Sequence, residues 1–179
     1  VHQPFGDFVG AWKDMEKAVR MGKVRALGIS NFDANDEVWN TIMDSATIKP
    51  AVLQIECHPY AQRLEMRKKA AKEGIQVECW FPLGGAMSNG ALFKDPVIRK
   101  IAEAHGKSPA QIILRWHIQE GFSVIPGATN PDYIKENIQI FDFALTDEEM
   151  QQMRSLNKEQ RFFTMPEEGV RRMVRENNL

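Results

Sequence analysis

Short apolar runs that end in polar residues alternate with amphipathic stretches along this 179-residue chain. The apolar runs are centred near positions 27, 54, 78 and 124, and each predicts a buried strand. The intervening stretches carry apolar residues three and four positions apart, which predicts helices. Alternating strands and helices favour a parallel sheet in an α/β domain.

Glycines and helix-capping residues set the predicted bounds of these elements. Glycine after an amphipathic stretch indicates a helix end, and Asp, Asn, Ser or Thr before one indicates a start. Strands are predicted over Val24–Ile29, Ala51–Glu56, Ile75–Phe81 and Phe122–Ile125. Helices are predicted over Phe8–Met21, after Asp33 or Asn35, over Arg63–Glu73, Pro96–Ala104 and Ala110–Gln119, after Asn130, and after the Thr146–Glu149 capping box.

Two further segments are predicted to lie beside a site. Leu83–Asp95 contains three glycines and is predicted to be a mobile loop and a candidate lid. After Pro166 a weak helical pattern predicts a tail that folds over a rim of the domain.

Polar residues stand where the first two strands end. Ser30 and Asn31 follow the first, and Gln54 and Glu56 end the second. Short buried strands with polar carboxyl ends favour a TIM barrel over a doubly wound sheet, because α/β barrels carry their chemistry there. On this stretch alone, helix capping by Ser30 or Asn31 is an equal alternative.

The number of strands predicts only part of a closed barrel. The chain offers four strands and a strand tip at Val1–His2, whereas a (β/α)8 barrel has eight strands and at least about 200 residues. We therefore expect residues 1–179 to be the C-terminal half of one TIM-barrel domain, from the tip of strand 4 to strand 8. Since the sequence lacks an initiator Met, we expect the natural chain to begin earlier.

Composition and charge limit the kinds of function that the chain is expected to have. A net charge of −1 provides no general field for nucleic acid or an anionic membrane, and no apolar run reaches the roughly 18 residues of a membrane helix. No signal peptide is evident, and two cysteines give no disulfide framework, so a cytoplasmic location is expected. Cys57, His58, His105 and His117 lack CxxC or HExxH spacing, so no metal site is expected.

Several motifs together resemble the aldo-keto reductase family. They are Gly22–Phe32 (GKVRALGISNF), Gln54–Pro59 (QIECHP), Phe81–Gly84 (FPLG), Ile125-Pro126 and Glu136-Asn137, in the family's order and spacing. The resemblance covers nearly the whole chain. It implies a (β/α)8 barrel that reduces aldehydes and ketones with a nicotinamide cofactor.

The resemblance implies roles at the reacting end of the cofactor. His2 matches a catalytic histidine that bonds and orients the substrate carbonyl. Ser30, Asn31 and Gln54 match residues that bond the nicotinamide carboxamide, for which hydroxyl and amide groups are suitable donors and acceptors. Trp80 stands where the family has a tyrosine stacked on the nicotinamide ring; the alternative is an ordinary core tryptophan.

The resemblance also implies contacts along the rest of the cofactor. The loop after the last strand and the N-terminus of the next helix match the site of the adenosine phosphate, and such a terminus favours an anion. For Glu136 and Asn137, matched to an adenine-contacting pair, the alternative is a solvated helix face. The cofactor-binding residues predicted here are Pro82, Leu83, Ile125, Gly127, Ala128, Thr129, Tyr133, Glu136 and Asn137.

Departures from the family pattern limit these implications. The family's catalytic Asp, Tyr and Lys precede its histidine, and neither Tyr60 nor Tyr133 stands at a matching place. Gln3 replaces a common substrate-contacting Trp, and Phe81 replaces a common Ser. The resemblance implies NADP as the cofactor. Because Gly127 and Tyr133 replace basic residues that clamp the 2′-phosphate, NAD is expected as a second option.

Three interpretations follow. In the first, the intact barrel reduces a small-molecule carbonyl with NADPH or NADH, this chain needs the missing N-terminal half, and the fragment alone is inactive. In the second, the chain belongs to a non-catalytic nicotinamide-binding subunit of the same fold. In the third, a truncated chain never closes a barrel and leaves open sheet edges that favour aggregation or pairing. The sequence identifies neither the carbonyl substrate nor the oligomeric state.

Overall fold

A four-stranded parallel sheet forms the centre of the chain. The computed structural model describes residues 1–176. The strands are β1 (Gly28–Ser30), β2 (Val52–Glu56), β3 (Gln76–Trp80) and β4 (Ser123–Val124), and they lie side by side in chain order. Each strand is parallel to the next, so helical crossovers connect them, as the alternating pattern predicts.

Helices precede, connect and follow these strands. They are α1 (Phe8–Arg20), α2 (Asp36–Ser45), α3 (Leu64–Lys72), α4 (Ala91–Lys94), α5 (Pro96–His105), α6 (Pro109–Gln119), α7 (Pro131–Ile138), α8 (Asp147–Ser155) and α9 (Glu167–Glu176). Asn35 caps α2, and α6 and α8 begin with the capping boxes of Ser108 and Thr146. Of residues 1–176, no helix is long and apolar enough to cross a membrane.

One face of the sheet is apolar and packs against helices. Ile29, Leu53 and Val77 lie in register on neighbouring strands and are buried together with Trp12 of α1 and Ile42 of α2. Burying an aliphatic side chain of this size contributes about 1.5–3 kcal/mol. A second apolar cluster joins α5, α6 and α8. The opposite face of the sheet is left for polar residues.

All four strands are shorter than predicted. Val24–Ile29 was expected and β1 begins at Gly28; Phe122–Ile125 was expected and β4 ends at Val124. Proline, which has no N–H to donate to a ladder, adjoins the sheet at both of these limits. Pro50 precedes the strand that pairs with β1, and Pro126 follows the last backbone bond from Ile125 to Cys79, at 3.1 Å.

The predicted loop Leu83–Asp95 has local helical structure. A 3-10 turn over Ala86–Ser88 and the short α4 occupy most of it. Gly85 has φ +54°, and a Cβ there would lie 2.9 Å from the ring of Phe81. Glycine therefore allows this segment to fold back over the aromatic side chain that follows β3.

Candidate functional site

A row of four polar residues crosses the sheet at one level. Ser30, Gln54, Glu78 and Ser123 are successive partners in the register of β1 to β4. Residues paired in this way point to the same side of a sheet, and here they lie on the face opposite the helix-packed one. Period-two alternation predicts such a row, but only Ser30 and Gln54 were predicted as site residues.

Hydrogen bonds connect this row. The amide nitrogen of Gln54 donates to Glu78 at 2.8 Å, and the hydroxyl of Ser123 donates to the other Glu78 oxygen at 2.8 Å. The Gln54 side-chain oxygen accepts no bond from residues 1–176, so it can accept one from a ligand. Glu78 thereby fixes which end of the Gln54 amide faces the cavity.

A groove of about 910 Å³ opens beside the part of the row formed by Ser30 and Gln54. Ser30 and Gln54 lie on its floor side, and the chain segments before α1, after β3 and after β4 contribute its walls. The predicted site residues that line it are His2, Ser30, Asn31, Gln54, Trp80, Ile125 and Gly127. The structure therefore brings together the residues expected around the nicotinamide.

Asn31 is hydrogen-bonded to several of the residues that line the groove. Its backbone is left-handed, with φ 61°, and its N–H donates to the Gln54 carbonyl at 3.0 Å. Its side-chain nitrogen donates to the Ser30 hydroxyl at 3.1 Å and to the His2 carbonyl at 3.3 Å. Because the Ser30 oxygen accepts this bond, its own hydroxyl proton can point to a ligand.

Trp80 is a groove residue rather than a member of the closed core. It is half-buried, and its indole N–H donates to the Asn31 side-chain oxygen at 3.0 Å. Phe81 and Phe163 pack edge-on against it, with ring centroids 5.0 and 5.6 Å away. Its neighbours thus hold the indole at the carboxyl end of β3, where a flat ligand can contact it.

His2 lines the groove beside β1. Its side chain is exposed, and its backbone is held beside β1 because Ser30 donates to the Val1 carbonyl at 2.9 Å. This position is that of a strand tip next to β1, as the sequence predicts. The imidazole is accessible to a molecule in the groove.

A buried carboxylate, Glu56, attaches the C-terminal segment to the sheet. It accepts bonds from Arg161 at 2.7 Å, from the backbone of Phe162 and Phe163 at 2.7 and 3.1 Å, and from His58 at 3.2 Å. Burial opposes ionisation, but these donors lower the pKa of the Glu56 carboxyl to about 2. The sequence pattern indicated Glu56 only as a polar strand end.

Helix α9 forms the outer wall of the groove, in agreement with the predicted tail. Met165 and Val170 line the cavity, and the Arg171 guanidinium lies 4.1 Å from the centre of the Phe5 ring. The segment fixed by Glu56 leads directly into this helix. Glu56 therefore positions both Phe163 and the wall that follows it.

The residues expected along the rest of the cofactor are spread more widely. Ala128 and Thr129 lie in the loop before α7, and Tyr133, Glu136 and Asn137 lie on that helix, none of them on the groove. Glu136 accepts a bond from Ser108. Pro82 is buried and Leu83 packs against the second apolar cluster, so neither lines the groove either.

Both tyrosines of the chain lie away from the groove. The Tyr60 hydroxyl donates to Asp95 at 2.6 Å, and burial together with this carboxylate raises its pKa to about 12. Tyr133 is 60% exposed on α7. Neither lines the cavity that holds His2.

The four residues considered as metal ligands, Cys57, His58, His105 and His117, do not all lie together. His58 contacts Glu56, and His105 contacts Glu149 at 2.9 Å. Cys57 and His117 instead meet Cys79, in a buried cluster on the helix-packed side of the sheet. That cluster lies outside the groove.

The fold and groove define an α/β protein with an open groove at the carboxyl ends of parallel strands. The model of the Aldo/keto reductase family matches residues 1–158. The chain is 42% identical over 164 residues to "Aldo-keto reductase family 1 member A1" of Gallus gallus, covering 88% of this chain and 50% of that protein. It is 42% identical over 154 residues to "9,11-endoperoxide prostaglandin H2 reductase" of Trypanosoma cruzi, covering 86% and 53%.

The fold agrees with that of solved family structures. A crystal structure of a mutant of Gox0644 in complex with NADPH superposes with a TM-score of 0.83 at 35% identity, covering 95% of this chain and 61% of the other. The chain belongs to the aldo/keto reductase family. It spans about half the length of the curated relatives it matches.

Proposed function

We propose that the intact protein containing this chain reduces aldehydes or ketones to alcohols with NADPH, and accepts NADH as a second cofactor. Residues 1–179 would supply the C-terminal half of a (β/α)8 barrel and the nicotinamide side of its site. The supporting observation is one groove that holds His2, Ser30, Gln54 and Trp80 at the carboxyl edge of the strands. Relatives whose names denote reductases support the reaction class.

Ser30 and Gln54 would form a matched pair for the nicotinamide carboxamide. They are register partners on neighbouring strands, which lie about 4.8 Å apart. The Ser30 hydroxyl can donate to the carboxamide oxygen, because its oxygen already accepts from Asn31. The Gln54 oxygen can accept from the carboxamide nitrogen, because its own nitrogen is bound to Glu78. The indole of Trp80 would contact the face of the nicotinamide ring.

His2 would bond the substrate carbonyl oxygen and orient its carbon toward the ring. NADPH supplies hydride to that carbon when bound, and a proton must reach the oxygen. Tyr60 is held by Asp95 and Tyr133 lies on α7, so neither tyrosine of this chain serves as that acid. We assign the proton donor to the part of the intact protein outside residues 1–179.

The experiment is turnover of the intact protein with NADPH and a panel of aldehydes and ketones. NADPH consumption should match alcohol formation, and deuterium at C4 of the nicotinamide should appear on the former carbonyl carbon. Binding of NADPH without turnover would favour the non-catalytic nicotinamide-binding subunit. Absence of binding would contradict both.

The carboxamide contacts have a separate test. Ser30→Ala and Gln54→Leu should each weaken NADPH binding by about 2- to 10-fold, the value of one or more neutral hydrogen bonds. Adenosine 2′,5′-bisphosphate lacks the nicotinamide, so its affinity should not change. An equal loss for both ligands would mean that the substitutions disturb the fold rather than the carboxamide contacts.

A further inference from the structure

Two thiols and an imidazole converge in the interior, away from the groove. Cys57 follows β2, Cys79 is in β3 and His117 is in α6, and one ligand atom from each lies within 4.8 Å of the others. All three side chains are fully buried. We propose that this cluster binds one thiophilic divalent cation of the zinc class, held by two thiolates and one imidazole nitrogen.

The environment of His117 supports a cation. Its Nδ1 lies 2.7 Å from the Ile113 carbonyl, and its Nε2 lies 3.2 Å from the Cys57 carbonyl. A carbonyl oxygen only accepts hydrogen bonds, and a neutral imidazole has one N–H. The shorter contact assigns that proton to Nδ1, so the lone pair of Nε2 faces the Cys57 carbonyl. A cation bound at Nε2 would lie beside two electron-pair donors, this nitrogen and the Cys57 carbonyl oxygen.

The contact between His117 Nδ1 and the Ile113 carbonyl is of the kind that orients metal-bound histidines. A ligating imidazole typically donates its other N–H to a backbone carbonyl or carboxylate, which fixes the tautomer and the ring orientation. Ile113 provides that carbonyl one turn earlier in α6. His117 is therefore already oriented as a ligand through Nε2.

The strand register argues against a direct bond between the two sulfurs. Cys79 is paired with Ile55, and Cys57 lies two residues beyond that partner. Two residues along a strand and one strand across place the Cα atoms about 8 Å apart. Disulfides require about 4.4–6.8 Å, whereas zinc–sulfur bonds of about 2.3 Å bridge sulfurs that do not touch.

Charge favours a divalent ion over a monovalent one. Two thiolates and a divalent cation sum to zero, whereas a monovalent cation leaves a net charge in the apolar core. Binding releases two thiol protons to solvent and changes no oxidation state. The ion would connect two strands to the helix packed on them, and because its ligands are buried it would be acquired as the chain folds.

The test is the metal content of the intact protein, produced without a polyhistidine tag and dialysed against metal-free buffer. Elemental analysis should find about one zinc per chain. Refolding with Co²⁺ instead should give a thiolate-to-cobalt charge-transfer band. Cys79→Ala and His117→Gln should each lower zinc affinity at least tenfold, whereas His105→Gln, at a histidine outside the cluster, should retain the ion.

Three results would overturn the proposal. They are a wild-type protein with two titratable thiols and neither zinc nor a cobalt band, equal zinc content in Cys79→Ala and wild type, and a mass lower by two hydrogens from a disulfide. If a variant fails to fold, the cobalt spectrum and zinc stoichiometry of the wild type decide the question alone.

Discussion

The indole N–H of Trp80, at the end of β3, donates to the side-chain oxygen of Asn31, just after β1, at 3.0 Å. This bond connects the aromatic residue proposed to contact the nicotinamide ring to the turn that orients Ser30. Trp80 would thus act through its ring face and through its N–H. Two substitutions separate these contributions.

Trp80→Ala in the intact protein should weaken NADPH binding about 2- to 10-fold beyond the effect of lost area, since an aromatic contact contributes about 0.5–1.5 kcal/mol. Trp80→Phe keeps a ring and loses the bond to Asn31, so its loss should be smaller. Calorimetric titration measures both. Unchanged affinity in Trp80→Ala, with the fold intact, would return Trp80 to a packing role.

Glu56 should make stability depend on acidity. Its folded pKa of about 2 lies below the ordinary 4.5, so its contribution is complete above pH 4.5 and disappears as the pH falls toward 2. Glu56→Gln should lower the free energy of unfolding at pH 7 by about 1–3 kcal/mol, because one oxygen no longer carries charge for Arg161.

Denaturant unfolding at pH 7 and at acid pH measures this effect. The stability of Glu56→Gln should fall less than that of wild type across the acid range. Glu65→Gln is the matched control, because Glu65 pairs with Lys68 at the surface and should change stability by less than about 0.5 kcal/mol. If the stability of Glu56→Gln fell with acid as much as that of wild type, the lowered pKa of the Glu56 carboxyl would not be the cause.

Residues 1–179 alone should not reduce carbonyls at an enzyme's rate. His2 is in the groove, but neither Tyr60 nor Tyr133 lines it, and loss of a general acid lowers rates about 10²- to 10⁴-fold. NADPH consumption with an aldehyde panel, measured beside the intact protein, checks this. Turnover equal to that of the intact protein would show that the chain supplies its own proton donor.

The sequence predicted the parts of the site that local patterns encode. The polar end of an apolar run identified Ser30, period-two alternation identified Gln54, and the family motifs assigned them a ligand. Glu78 stood between two apolar residues of a predicted strand, so the same period could have identified its place in the row.

Contacts between distant parts of the chain were beyond that reasoning. Arg161 meets Glu56 across 105 positions, and neither residue's neighbours indicate the other. The cluster of Cys57, Cys79 and His117 has no motif spacing, because a strand end, another strand and a helix supply it. Packing alone brings these residues together.

The last prediction concerns the choice between NADPH and NADH. The sequence resemblance predicts a basic residue where this chain has Tyr133. The Asn130 side chain caps α7 by accepting from the Asp132 backbone N–H at 2.9 Å. Asp132 also adds negative charge to the first turn, which reduces the attraction of that helix end for phosphate. A charge-assisted bond contributes about 1.5–3 kcal/mol against about 0.5–1.5 for a neutral one, so losing the clamp should reduce NADPH preference about 10- to 100-fold. We therefore expect similar dissociation constants for the two cofactors in the intact protein.

Tyr133→Arg should shift the ratio of these dissociation constants toward NADPH. Ile134→Arg adds the same charge about 100° around the helix and should not. A preference above about a thousandfold without substitution would mean that another group binds the 2′-phosphate. An unchanged ratio in Tyr133→Arg would place that phosphate away from α7.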